Sequence, residues 1–305
     1  MSAELSAGTG PLAARHGAAA APARRSRWSR RSRRSYGWLL IAILVTIVLL
    51  FPLYWMAVTS VTPVTDLLTQ HPHLIPQLSH LQFGNYSDTF RTYPVLSWLG
   101  NSALITVGTV ALSLLVSVPA GYSLSRMGKG GATSAGLLML LTRVIPGTLL
   151  LIPFFVMFSA LHLLNSIQGL ILADTSIIVP FSAWLLKGFF DSVPRELEQA
   201  ALVDGCSQWT AFVKVVVPLA SPGIGATAIY AVILGWSDYL FAKTLLINPT
   251  HWTITVGAAS LISDLTVNWS GLMAMGVISV VPMIVAFLVL EPFLVSGMAA
   301  GSVVG

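Results

Sequence analysis

Six long apolar runs dominate the chain, at approximately 37–59, 98–124, 135–160, 168–190, 218–246 and 271–296. Each is long enough to cross the roughly 30 Å hydrocarbon core of a bilayer, which takes about 20 residues of helix. Lipid offers no partner for backbone N–H and C=O groups, so a spanning segment must be a helix or part of a closed barrel. These runs are too long and too uniformly apolar for barrel strands. The predicted fold class is therefore an all-α integral membrane protein with six transmembrane helices. Composition agrees: 9% of residues are charged, against about 25% in a soluble domain, and mean hydropathy is +0.81. No second, soluble domain fits.

The net charge of +5 is unevenly placed. Arg24, Arg25, Arg27, Arg30, Arg31, Arg33 and Arg34 all precede the first run. A nucleic-acid reading is open to such a tail, but arginines beside a first span are the usual cytoplasmic retention signal. The Arg33–Arg34 pair also raises the reading of a cleaved signal peptide. The apolar stretch from about Gly37 to Val58 is too long for one and no small-residue cleavage site follows, so an anchor is expected. Residues 1–35 are expected to be a disordered cytoplasmic tail.

With the N-terminus inside, Arg126, Lys129, Arg195 and Lys214 fall on the cytoplasmic side. The outer loops hold Arg91 alone, satisfying the positive-inside rule and placing the C-terminus inside as well. The long first outer loop carries Pro63, Pro72, Pro76 and Pro94. It reads equally as a partner-binding segment or a passive connector. Cys206 is the only cysteine, so neither an intrachain disulfide nor a multi-cysteine metal site exists. His71, His73 and His80 lack ligand spacing, and no metal site is expected.

The informative segment lies between the fourth and fifth runs, from Val193 to Pro218. It reads as a cytoplasmic helix–turn–helix. Pro194 suits a first turn, Glu196 and Glu198 oppose the positive end of the helix dipole, Gly205 permits a sharp turn, and Ser207 can cap the next helix. Ala200 and Ala201 expose little side chain and allow close approach of another surface, with Leu197 and Val203 as apolar contacts. A rigid helix bracketed by two spans would turn the motion of a docked partner into rotation of both.

Ala200, Ala201, Asp204, Gly205 and Pro218 resemble the EAA loop of permease subunits in ATP-binding-cassette importers. The sequence departs from that pattern at Gln199, where the motif has glutamate; Glu198 precedes it. Asn101-Ser102, Ile145-Pro146, Leu163-Leu164-Asn165, Trp236-Ser237-Asp238 and the glycine-containing end from Gly297 to Gly305 extend the resemblance over residues 36–305. The pattern is similar to MalG-type permeases of carbohydrate importers, in the binding-protein-dependent transport system inner membrane component family. The resemblance implies a type I importer permease domain over 36–298, with a coupling loop at 194–218 and a cytoplasmic tail at 299–305.

It further implies a bacterial plasma-membrane location, a second, MalF-like permease, two MalK-like ATPase subunits and an external substrate-binding protein that delivers a sugar, with no nucleic-acid partner. The ATPase-coupling residues would be Glu196, Leu197, Glu198, Gln199, Ala200, Ala201, Asp204 and Gly205. No Gly-x-x-x-x-Gly-Lys-Ser/Thr phosphate loop occurs. The subunit is thus expected to be non-catalytic, binding no cofactor, with ATP and Mg at the partner ATPases.

Arg143, Asp174, Lys187, Asp238, Lys243 and Glu291 fall in or near the runs, where ionisable groups must pair, snorkel or face water. Lys187, Lys243 and Glu291 lie near the ends and suit snorkelling. Asp238, with Trp236 and Tyr239, combines a carboxylate with aromatic faces suited to sugars, and its alternative is an ion pair or helix cap. These three and Arg143 are the candidate substrate path. Tyr54, Trp55, Trp252 and Trp269 read as interfacial aromatics. Other readings are a permease for a non-sugar solute, or a secondary transporter.

Overall fold

The computed structural model of the protein describes residues 28–67, 81–262 and 267–301. Residues 1–27, His71, His73, His80 and the last four residues lie outside them. Two compact units are distinguished, Met1–Phe51 and Pro52–Gly305. Among the described residues the regular structure is helical, with no β-strand.

Helix α1 is Trp28–Ser60. Helical backbone thus begins seven residues before the expected tail boundary at residue 35. Arginines are good helix formers, and the segment that carries Arg30, Arg31, Arg33 and Arg34 continues the apolar helix instead of preceding it. The first outer loop contains α2, Val64–Leu67, and α3, Gly84–Thr92. Asn85 donates to the Ser60 carbonyl at 3.0 Å, and the Ser60 and Tyr86 hydroxyls lie 2.7 Å apart, so α3 is tied to the end of α1.

The next helices are α4, Val95–Arg126; α5, Lys129–Leu141; α6, Gly147–Ala160; α7, Ile167–Ser192; α8, Arg195–Val203; α9, Gln208–Ala211; and α10, Val217–Leu219. Then follow α11, Ser221–Ser237; α12, Leu240–Leu245; α13, Ile254–Ala259; and α14, Trp269–Gly301. α14 runs past the tail boundary expected at residue 298.

Four helices are apolar and long enough to span: Gly37–Ser60, α4, α7 and Trp269–Phe293. The third and fifth expected spans are instead broken. Thr133–Val144 and Gly147–Ala160 meet at 93°, and Gln208–Leu219 and Ser221–Ser237 at 74°. Proline is the cause in both. Ile145, before Pro146, takes the extended ψ of 117° that a following pyrrolidine ring favours. At the second break Ala220 leaves helical ψ at 6°, between Pro218 and Pro222, neither of which has an N–H to continue the ladder. The 218–246 run is cut again where Asp238 is extended, with ψ 129°.

The core of the larger unit is α4 against α7, with α11 and α14 alongside. Ser102, Thr106, Thr109, Ser113 and Ser117 are all buried and fall at intervals of three or four on α4, forming one small-residue stripe that lets helices approach closely. Gly121 continues it: a Cβ there would lie 2.8 Å from Leu186 Cβ and 2.9 Å from the Ala183 carbonyl oxygen.

The start of α4 is latched to the segment before α13. Trp98 Nε1 donates to the Pro249 carbonyl at 2.9 Å, and Asn101 donates to the Thr250 and Trp252 carbonyls at 2.9 and 3.0 Å. Gly257 is seated on the Trp98 ring, which leaves no room for a side chain. Trp252, expected at the lipid interface, is partly buried and packs beside Trp98, with ring centroids 6.1 Å apart.

Candidate functional site

The helix–turn–helix anticipated from the sequence forms at 195–220. α8 holds Glu196 and Glu198 in its first turn. It closes where Asp204 and Cys206 donate to the Ala200 and Ala201 carbonyls, at 2.9 and 3.0 Å. Gly205 has φ +89°, a left-handed turn that glycine adopts without steric penalty. Ser207 then caps α9, accepting from the Thr210 amide at 3.2 Å. From α9 the chain passes through a π-helical turn, Phe212–Val216, and α10 to the 74° bend before α11.

The two acidic residues of α8 differ. Glu196 is exposed. Glu198 points inward to α4: its Oε2 accepts from Arg126 Nε at 2.8 Å and its Oε1 from the Tyr122 hydroxyl. Arg126 Nη1 also donates to the Phe190 carbonyl at 3.3 Å, and Arg195 Nη2 to the Ser125 carbonyl at 2.9 Å. α8 is therefore bolted to the end of α4 by charged hydrogen bonds, each of the stronger class, and Arg126 of α4 carries the link on to the end of α7. Beneath, Tyr122, Phe190 and Phe212 form an aromatic cluster, with Tyr122 and Phe212 centroids 4.5 Å apart.

Ala201 is buried, whereas Gln199 and Ala200 are exposed. Leu197 is 44% exposed, Val203 87% and Trp209 69%. These residues, with Asp204 and Gly205, give an outward face of mixed apolar and amide character beside a groove of about 700 Å³ that Tyr122, Arg126, Glu198, Gln199 and Trp209 help to line. Such contiguous apolar exposure, rimmed by polar groups, is the mark of a protein docking surface. Sequence reasoning missed Tyr122, Arg126 and Trp209. The basic residue ending a span, facing an acidic loop, was the available signal for Arg126.

The four candidate path residues are not brought to one point. Trp236 is buried, and its Nε1 donates to Ser279 Oγ at 3.3 Å. Asp238 accepts from the Phe241 and Ala242 amides at 3.3 and 2.8 Å, capping α12. Of the two readings of Asp238, the cap accounts for both oxygens. Tyr239 is 39% exposed. Arg143 lies at the 93° break, its guanidinium carbon 5.3 Å from the centroids of both Phe181 and Tyr230. Lys187 pairs with Asp191 at 2.5 Å and Lys243 stacks over Trp252 at 4.9 Å, so packing and pairing hold both. Among the described residues no group of three His, Cys, Asp or Glu side chains is placed to hold a metal ion.

Comparison with known proteins follows this geometry. Residues 113–299 match the family described as binding-protein-dependent transport system inner membrane component. The sulfoquinovosyl glycerol transport system permease protein SmoH of Agrobacterium fabrum is 34% identical over 260 residues, covering 84% of this chain and 89% of that protein. The diacetylchitobiose uptake system permease protein DasC of Streptomyces coelicolor is 30% identical over 87% of this chain and 95% of that protein. The galactooligosaccharides transport system permease protein GanQ of Bacillus subtilis is 30% identical over 88% and 95%. Among solved structures, a bacterial ABC transporter involved in import of the acidic polysaccharide alginate superposes with a TM-score of 0.72 at 24% identity, covering 88% of this chain and 98% of that one. With four helices long and apolar enough to span, two bent apolar helix pairs and a matched segment that runs from α4 to α14, the chain belongs to the binding-protein-dependent transport system inner membrane component family.

Proposed function

We propose that this chain is the membrane permease subunit of an ATP-driven sugar importer, and that α8 is the lever through which partner ATPases drive it. The observation that carries the reading is the double attachment of α8. Glu198 and Arg195 fix it to the end of α4, whose Arg126 also bonds the end of α7, while the Gly205 turn and α9 lead into the bend before α11. A load applied to the exposed Leu197–Val203 face therefore reaches three spans together, the requirement for switching a cavity between two openings. ATP and Mg would bind at the ATPases, and a second permease and an external binding protein would complete the assembly.

Sugar as the cargo is supported by the relatives, whose names specify sulfoquinovosyl glycerol, diacetylchitobiose and galactooligosaccharides. The arginines that open α1 would hold the N-terminus in the cytoplasm, which puts α8 on the same side. In this reading Trp236 and Asp238 shape the path by fixing α11 and α12, and Tyr239 faces it. Replacement of Gly205 by Val in the assembled transporter tests the lever: substrate-stimulated ATP hydrolysis should fall together with uptake. Normal uptake and normal stimulation would sink the proposal.

A further inference from the structure

Arg143 is a cation in the wrong place for a structural side chain. Its ring partners lie at mid-membrane depth: Phe181 is fourteen residues from the start of α7 at Ile167 and eleven from its end at Ser192. That is about 15–20 Å from either terminus at 1.5 Å per residue, beyond the reach of a snorkelling arginine. The guanidinium packs between two aromatic faces, yet among the described residues no carboxylate pairs with it and no carbonyl accepts from it. Asp174 is buried in α7 with no partner for its Oδ2 among the described residues and makes no ion pair with Arg143, and Asp238 is committed to the amides that open α12.

A cavity of about 340 Å³ opens at the 93° break, lined by Arg143 together with Pro146, Phe154, Ser176 and Phe241. That volume matches a small-molecule site. The Phe154 and Phe241 rings stand edge to face, centroids 5.5 Å apart, presenting apolar walls suited to the C–H faces of a pyranose. Arg143 is the middle residue of a short 3₁₀ turn, Thr142–Val144, just before the break, so the cation is carried where the α-helix has already given way. Tyr230, whose ring flanks the guanidinium, has a buried hydroxyl with no partner among the described residues. Arg143 is exposed and lines this cavity without an ion-pair partner among the described residues, so the cation is open to a ligand that completes it.

We propose that Arg143 and this cavity bind the oxyanion of an acidic sugar, a ring bearing a carboxylate, sulfonate or sulfate, on its way through the permease. Arg143 supplies the bidentate donor face that planar oxyanions fit, and the aromatic walls hold the ring. The assignment rests on the sugar-importer reading above and narrows its cargo.

The test uses the assembled transporter with its binding protein in proteoliposomes. Digalacturonate and galactobiose, and cellobiouronate and cellobiose, are compared as stimulators of ATP hydrolysis in the wild type, R143K and R143Q. The acidic member of at least one pair should stimulate. R143Q should weaken its half-maximal concentration by about 10- to 100-fold, the range for one charged hydrogen-bonded contact. R143K should retain an intermediate response. Stimulation by neutral sugars alone refutes the acidic assignment and leaves the sugar importer standing; response to neither class refutes both. A variant that loses the second permease on purification, or loses neutral and acidic responses equally, assigns Arg143 to subunit packing and overturns the proposal.

Discussion

Glu198→Gln removes one charge from the bolt between α8 and α4 while keeping the side chain's shape. The carboxylate accepts two hydrogen bonds, from Arg126 Nε at 2.8 Å and from the Tyr122 hydroxyl. The side chains of Arg126 and Glu198 are only 16% and 12% exposed, so water replaces these contacts incompletely. Hydrogen bonds to charged groups contribute about 1.5–3 kcal/mol each, and breaking one partner of a buried pair costs about 3–5 kcal/mol. The amide retains a weaker bond to Tyr122, so we expect a local loss of about 2–3 kcal/mol. Since about 1.4 kcal/mol is a factor of ten, the open population of α8 should rise by roughly 30- to 150-fold.

Hydrogen exchange reads this directly at the Asp204 and Cys206 amides, whose acceptors are the Ala200 and Ala201 carbonyls. Protection there should drop by one and a half to two decades while the α7 core amides are unaffected. A double-mutant cycle with Arg126→Met isolates the pair. If E198Q changes protection by less than threefold, or the two substitutions add without coupling, the bolt does not exist as argued.

Four further outcomes are expected. Gly205→Ala should destabilise the turn by about 1–2 kcal/mol, the strain of a left-handed non-glycine residue; with open space around the position, thermal unfolding of Gly205→Ala and Gly205→Ser should match. Gly257→Ala should lower the melting temperature in detergent, because a Cβ would sit 2.1 Å from Trp98 Cε3, an overpacking of about 1–3 kcal/mol; a Trp98→Leu background should remove most of that loss. Asp238→Ala should cost about 1 kcal/mol through the lost cap of α12, while Asp238→Asn, which keeps an acceptor, should transport at near wild-type rate. Gln199→Glu should make recovery of the ATPase subunits more sensitive to salt than in the wild type, since an exposed charge is screened and an amide is not.

Much of the fold could be read from the residues because bilayer thickness imposes a length on every span, and the runs around α1, α4, α7 and α14 carry that length. The two breaks were hidden for a plain reason. Ile145-Pro146 and Pro218 to Pro222 are apolar, so hydropathy sees continuity where the backbone has lost its donors. The turn of the lever was legible residue by residue, since Gly205 and Ser207 act on their immediate neighbours. Its attachment was not: Glu198 and Arg126 lie 72 residues apart, and pairing across spans leaves no periodicity. The packing of Trp252 was hidden for the same reason, its neighbours Trp98 and Lys243 coming from different elements. Arg143 stood out as a charge in a span, but only the 93° bend gives it a cavity.

The π-helical turn at Phe212–Val216 holds one residue more than an α-helical turn would. At about 100° per residue in an α-helix, that surplus residue sets the clock position of everything before it relative to α11. Deleting it would let the ladder close in ordinary register and swing Trp209 and the Gly205 turn about a quarter of a revolution around the axis. The phase between the docking face and the span is thus written as a single inserted amino acid, a quantity that substitutions at the surface leave untouched and that one deletion would reset.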